Sequence, residues 1–124
     1  MDCYSKDGAG WVRARQAILR LRDRCEVQGR DFRVVLFPYL VPSSGAFISH
    51  EAHRVVGEFC ASHAIACFDG EASLLRVLDP SAPHGLRVSA GDFHANGRAY
   101  GAFAAELAAW LASTGLPFDS ELAR

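Results

Sequence analysis

The sequence predicts an α/β domain built on a small parallel sheet, and three observations carry that prediction. Phe32-Arg33-Val34-Val35-Leu36-Phe37 is a near-continuous run of β-branched and aromatic residues ending at Pro38, the pattern of a strand buried on both faces. A helical stripe follows at Ala52, Val55, Val56, Phe59 and Cys60, and then a second short apolar run, Ile65-Ala66-Cys67-Phe68, so the order is strand, helix, strand. Amphipathic helices bracket this unit on either side. Strands joined by a helix run parallel, and such crossovers are right-handed in nearly all sheets, which sets the helix over one face.

Each element has its own local signal. Residues 1–9 are polar and contain glycine, so they read as a loop. Trp11, Ala14, Ile18, Leu21 and Cys25 recur at threes and fours and predict a first helix over 11–28, with Gly29 as its stop. The first strand follows. Pro38 to Ala46 holds two prolines, two serines and a glycine, which predicts a loop at the carboxyl end of that strand, where open α/β sheets form their ligand crevice. Ser49 is placed as an N-cap for a second helix over 50–63. After the second strand, Asp69-Gly70 makes a turn, residues 71–78 form a short helix cut off by Asp79-Pro80, and Leu86-Arg87-Val88 is a brief extended segment. The clearest helix begins at Asn96 or Gly97 and runs to Ala112. Tyr100, Phe103, Ala104, Leu107, Trp110 and Leu111 form its apolar stripe, Asn96 is its N-cap, and Gly115 with Pro117 ends it.

Composition bounds what such a chain does. With 124 residues, 50% hydrophobic and 22% charged, it is long enough to bury a core and too apolar to be disordered, so a single domain over 1–124 is expected: a loop at 1–9, a core at 10–113, a tail at 114–124. A net charge of −1 provides no attraction for nucleic acid or anionic lipid. The arginines of the first helix, interspersed with Asp23 and Glu26, read as a solvated face. No apolar run approaches a membrane span, and Met1-Asp2-Cys3-Tyr4-Ser5-Lys6 lacks the pattern of a secretory signal, so the chain as written is expected in the cytoplasm. Cys3, Cys25, Cys60 and Cys67 form no CxxC, and three of them sit in apolar periodic segments, which predicts buried free thiols.

The chemistry concentrates in Gly91-Asp92-Phe93-His94-Ala95-Asn96-Gly97, a polar turn running straight into the last helix. A carboxylate beside an imidazole can hold one ring nitrogen and stabilise the imidazolium, leaving the other nitrogen to take a proton from a nucleophile. The plainer account of the same residues is a turn before a helix, with Asp92 as a capping carboxylate and His94 as an exposed polar group.

The order of parts resembles the C-terminal half of an SGNH/GDSL-type serine hydrolase over about residues 10–113: amphipathic helix, the strand Val34-Val35-Leu36-Phe37-Pro38, long loop, helix, short strand ending in Asp, then Asp92-Phe93-His94-Ala95-Asn96-Gly97 and a final helix. The resemblance implies a three-layer α/β/α, flavodoxin-like parallel sheet, present here in part with its N-terminal strands missing. It implies hydrolysis or transfer of acyl groups on esters by a Ser-His-Asp mechanism, with His94 as general base, Asp92 as its orienter, and no cofactor or metal. The family commonly has Pro where this chain has Ala95, and many members space Asp and His one residue wider.

No Gly-Asp-Ser and no Gly-x-Asn-Asp stretch occurs in the chain, so the nucleophile and oxyanion hole of the family would precede Met1. The expectation is a C-terminal portion of a hydrolase, inactive alone, whose parent acts on a small-molecule, lipid or carbohydrate ester and is exported or not according to what lies upstream. Ser5, Ser43 and Ser44 lack the strand-to-helix elbow of a nucleophile, and Ser89 reads as a capping or turn residue. A non-catalytic α/β interaction module, or a degenerate remnant needing a partner chain, is the alternative, since a partial sheet leaves strand edges for self-association. His50 and His53 stand three apart on a helix, with Glu51, His63 and His84 as conceivable further metal ligands. One i, i+3 pair does not converge a site, so surface histidines are expected. Asp69 reads as a turn former, and Tyr100, Phe103 and Trp110 as core.

Overall fold

The computed structural model describes residues 8–79, 81–82 and 84–115. In chain order the elements are α1 (Ala9–Val27), β1 (Arg33–Leu36), β2 (Pro42–Ser43), β3 (Ala46–Phe47), α2 (His50–Ser62), β4 (Ala66–Asp69), α3 (Glu71–Val77), β5 (Arg87–Ser89), β6 (Asp92–Ala95) and α4 (Gly97–Ser113). The fold is mixed α/β, with four helices, a two-stranded parallel sheet and two small antiparallel sheets among the described residues. None of these helices is long and apolar enough to cross a membrane. The chain divides into two compact units: residues up to Pro38 together with Ser49–Asp69, and Tyr39–Ile48 together with the residues from Gly70 onward.

The first unit is the expected strand, helix, strand. β1 and β4 pair in parallel with Arg33 opposite Ala66, Val34 opposite Cys67, Val35 opposite Phe68 and Leu36 opposite Asp69. Alternation along β1 turns Val34 and Leu36 toward α1 and α2, where they line an apolar cavity of about 380 Å³ with Trp11, Ala14, Ile18 and Val55. Val35, on the other face, is 43% exposed, so β1 is not buried on both faces as its composition suggested. Trp11 meets Phe59 edge to face, with ring centroids 5.4 Å apart, which ties α1 to α2. Even so, α1 has no fully buried residue, and Leu21 and Val27 on it are exposed.

Both helices of this unit stop by the same device. At the end of α1, Gly29 takes φ +64°, its N–H donates to Glu26 O, and Arg30 N–H donates to Cys25 O. That is the paired bond pattern of a Schellman motif, which needs a left-handed residue. α2 repeats it with Ala64 N–H to Ala61 O and Ile65 N–H to Cys60 O, but its left-handed residue is an alanine at φ +53°. Val55, Cys60, Ile65 and Phe68 are the buried apolar residues of this unit among the described residues. Cys60 is a buried free thiol as expected, while Cys25 and Cys67 are free but half-buried; Cys3 lies outside the described residues.

In the second unit, the stretch read as a loop at 38–46 contains a hairpin. β2 and β3 pair antiparallel across Ser44 and Gly45, both at positive φ, which is the two-residue turn whose twist suits a hairpin. The strands are only two residues each, too short for alternation to show in sequence. The buried Glu71 carboxylate accepts the Phe47 N–H at 2.9 Å, so the start of α3 holds β3. α4 packs on α3, reinforced by Arg98 donating to Val77 O at 2.8 Å and by the Arg76–Glu106 ion pair. Among the described residues of this unit, Leu40, Phe47, Leu74, Leu86 and Ala99 are the buried apolar ones.

Asn96 caps α4 as expected, its Oδ1 accepting the Ala99 N–H at 3.1 Å. Its Nδ2 also donates to Gly85 O and Arg87 O, each at 3.0 Å, so one side chain joins the helix start to the beginning of β5 and the segment before it. With the helix start held there, Ala99 is its buried residue, and Tyr100, expected in the core, is exposed. The stripe seen in sequence is rotated: Phe103, Leu107, Trp110 and Leu111 are half-buried, and Ala104 is exposed.

Candidate functional site

Asp92 and His94 do not sit in an irregular turn but in β6, paired antiparallel with β5 so that Ser89 lies opposite Asp92 and Arg87 opposite Ala95, with a bulge between. Residues two apart in a strand share a face, and this brings the two side chains together. His94 Nδ1 lies 2.6 Å from Asp92 Oδ1, and the same oxygen accepts the His94 backbone N–H at 2.9 Å. An ionised carboxylate only accepts, so the ring proton belongs on Nδ1 and Nε2 is left as the basic nitrogen. The His94 backbone N–H first, and then its ring, hold the Asp92 carboxyl below the ordinary carboxylate range. Asp92 does not cap α4; Asn96 does.

The pair is open to solvent: the His94 side chain is 88% exposed and that of Asp92 43%. Water at this level of access screens the ion pair, so it contributes orientation more than stability. Gly91, Asp92, Phe93, His94 and Tyr39 line a cleft of about 380 Å³. Phe93 points away from the Asp92–His94 face of the strand, and Arg87 lays its guanidinium over the ring, 4.8 Å from the centroid. Arg87 is buried, its Nη1 donating to Ala90 O and its Nη2 meeting His84 Nδ1, while Nε has no hydrogen-bond partner among the described residues.

No serine hydroxyl hydrogen-bonds His94 among the described residues. Ser43 is in β2, Ser44 in the hairpin turn and Ser89 in β5, none at a strand-to-helix elbow; Ser5 lies outside the described residues.

A second Asp-oriented imidazole was not legible as such in the sequence. His53, expected at the surface, is buried in α2, with 8% of its side chain exposed, and its Nδ1 lies 2.8 Å from Oδ1 of Asp69 at the end of β4. The same acceptor-only argument assigns the proton to Nδ1. The signal was available: His53 stands three and seven residues before Val56 and Cys60, on the buried stripe of α2. Its partner was not, because Asp69 also fits a turn. The histidines weighed as shared ligands have separate partners: His53 has Asp69, His63 has Phe59 O and Ser62, and His84 has Arg87.

Comparison of the chain with protein-family models, with curated proteins and with solved structures finds no match.

Proposed function

We propose that this chain carries the acid–base half of an SGNH/GDSL-type ester hydrolase or acyltransferase, with His94 as general base, Asp92 as its orienter, and the nucleophilic serine supplied by residues outside these 124. The observation that carries the reading is the 2.6 Å contact between His94 Nδ1 and Asp92 Oδ1, which leaves Nε2 basic on a ring that is otherwise exposed. In this mechanism Nε2 takes the proton of the serine hydroxyl as the oxygen attacks the ester carbonyl. The imidazolium so formed faces the Asp92 carboxylate, and its proton passes to the departing alcohol; water then releases the acyl group by the same route. In this reading the parallel β1–β4 pair and its helices are part of a three-layer α/β/α sheet completed by the nucleophile-bearing segment.

A second reading, a non-catalytic module that docks on a partner chain, is favoured by one observation. α1 spans 19 residues with an apolar stripe and buries none of them. Both readings demand further polypeptide, and they differ in whether His94 matters to turnover.

The test assays p-nitrophenyl acetate hydrolysis and fluorophosphonate labelling. The chain alone is expected to show neither labelling nor any hydrolysis above its His94→Ala variant. Joined to a nucleophile-bearing segment it is expected to turn over, and His94→Ala then lowers kcat by about 10³-fold or more. Serine labelling of the chain alone, or an active assembly indifferent to His94, overturns the proposal.

A further inference from the structure

Arg87 is a buried cation with too few partners. Only 6% of the residue is exposed, and a guanidinium donates without giving up its charge. Among the described residues no carboxylate pairs with it. Nη1 reaches Ala90 O at a long 3.4 Å, Nη2 meets His84 Nδ1, and Nε has no hydrogen-bond partner among the described residues. What answers the charge is the face of the Phe93 ring, whose centroid lies 4.8 Å from Cζ. A guanidinium kept from water with a donor unmet lowers stability, and an apolar side chain of similar volume in its place would not. Departures of this kind are what sequences keep for function.

What Arg87 reaches is the frame of the acid–base pair. Its backbone is fixed on both sides: the Arg87 N–H donates to His84 O at 2.9 Å, and Arg87 O accepts from Nδ2 of Asn96, the cap of α4, at 3.0 Å. From that base the side chain extends to Ala90 O, in the turn before β6, and to the ring of Phe93, between Asp92 and His94. Phe93 lies on the face of β6 opposite those two, so holding its ring sets the pleat that sends Asp92 and His94 to the other side. The strand needs that hold. The β5–β6 ladder has only two strands, and its register shifts between Arg87 and Ser89, opposite the stretch that carries His94. A two-stranded ribbon by itself is marginal in water. Nor does packing hold the His94 ring, since 88% of that side chain is exposed.

We propose that Arg87 is a positioning residue for the Asp92–His94 pair: its guanidinium, set against Phe93 and Ala90 O behind β6, fixes the strand so that the Asp92 carboxylate meets Nδ1 of His94 and Nε2 is left open. The positioning itself rests on the contacts of Arg87, and its consequence for turnover rests on the acid–base role proposed for His94. A residue that only stabilised the fold would lower stability and order together when replaced. Replacing Arg87 by an apolar residue separates the two, because it removes a buried charge and frees the strand in one change.

The test follows the full chain by NMR, with long-range ¹H–¹⁵N correlation reporting which nitrogen of the neutral His94 ring carries the proton and urea unfolding reporting stability. Nδ1–H is the expected form in the unsubstituted chain. In Arg87→Met the urea midpoint is expected to stay or rise, while the excess of Nδ1–H over Nε2–H falls about threefold. Phe93→Leu removes the ring that Arg87 lies on and keeps β6 apolar, so it is expected to loosen His94 to the same degree. The double variant should then add nothing, since both changes break one contact. A lower midpoint in Arg87→Met with an unchanged Nδ1–H excess, an undisturbed His94 in Phe93→Leu, or additive effects of the two substitutions overturns the positioning role. If Arg87→Met does not fold, Phe93→Leu decides. In the chain joined to a nucleophile-bearing segment, Arg87→Met is expected to lower kcat about tenfold with KM unchanged. A His94 ring loosened by Arg87→Met in an assembly whose turnover ignores His94 would sink the hydrolase reading and leave the positioning role standing. His94-dependent turnover with an undisturbed ring in Arg87→Met would do the reverse.

Discussion

Asp92 Oδ1 accepts two hydrogen bonds from one residue, the His94 backbone N–H at 2.9 Å and the His94 ring Nδ1 at 2.6 Å. The carboxylate therefore fixes both where the ring is and which nitrogen carries its proton. That relationship sets the pH dependence of the site. The Asp92 carboxyl is held below its ordinary value, so its contribution to order is present above about pH 3.9, where an unfolded aspartate is ionised, and is lost as pH falls through the lower folded value. Carbon-detected NMR should place the Asp92 midpoint below about 3.9, and Asp92→Asn should remove the acid-dependent shift of the His94 amide. A midpoint at or above that value contradicts the geometry.

Under the proposed acid–base role, Asp92→Asn in the chain joined to a nucleophile-bearing segment should also cost activity. An amide can present its N–H₂ to the ring and so favour the wrong tautomer, with loss of up to about 10⁴-fold in kcat. A steady-state comparison with His94→Ala checks it; equal rates for Asp92→Asn and the unsubstituted protein would leave Asp92 without an orienting role.

The buried His53 depends on a partner that is itself partly exposed. Asp69→Ala leaves the imidazole Nδ1–H inside the first unit without its acceptor, and is expected to lower stability by about 1–3 kcal/mol. Urea unfolding measures this. A loss below about 0.5 kcal/mol would mean that water replaces the carboxylate.

Asn96→Ala removes a helix cap and two bonds to the backbone of the preceding segment in one change. A loss of about 2 kcal/mol is expected, larger than for a cap alone. Asn96→Ser, which keeps a capping oxygen but not the two donors, should fall between.

Ala64 occupies the left-handed position that Gly29 fills in the other Schellman motif. Ala64→Gly should raise stability by about 0.5–1 kcal/mol, since the strain of a Cβ at positive φ outweighs the added freedom of glycine in the unfolded chain. A shift of the urea midpoint to higher concentration is the expected result.

Burial pushes the Cys67 thiol up to about 12, with the neighbouring Cys60 adding to it. At pH 8 that leaves a thiolate fraction of about 10⁻⁴, so iodoacetamide should modify Cys67 in urea but not in the folded chain. Rapid labelling of Cys67 in the native protein would show that β4 opens readily.

Much of the fold was legible because it is local. The stripes of α1 and α2, the β-branched run of β1 and the glycine stop at Gly29 each depend on residues a few positions apart. The same holds for Asn96, where a capping side chain reaches three residues on. The β2–β3 hairpin is not legible because two-residue strands carry no alternation, nor is the exposure of Tyr100, because the apolar stripe of α4 is broad enough to admit more than one rotation. Of the candidate site, the pairing of Asp92 with His94 could be proposed from spacing, but its strand geometry could not.

Local pattern is enough to order the four helices with β1 and β4 and to set an acid and an imidazole within reach of each other, since side-chain period and short-range hydrogen bonding are properties of neighbours along the chain. Tertiary structure alone decided that Tyr39 stands against Phe93, that Arg87 lies over that ring, and that His53 is buried against Asp69. Those contacts join residues from different elements, and long-range packing chooses among partners that local pattern leaves equivalent.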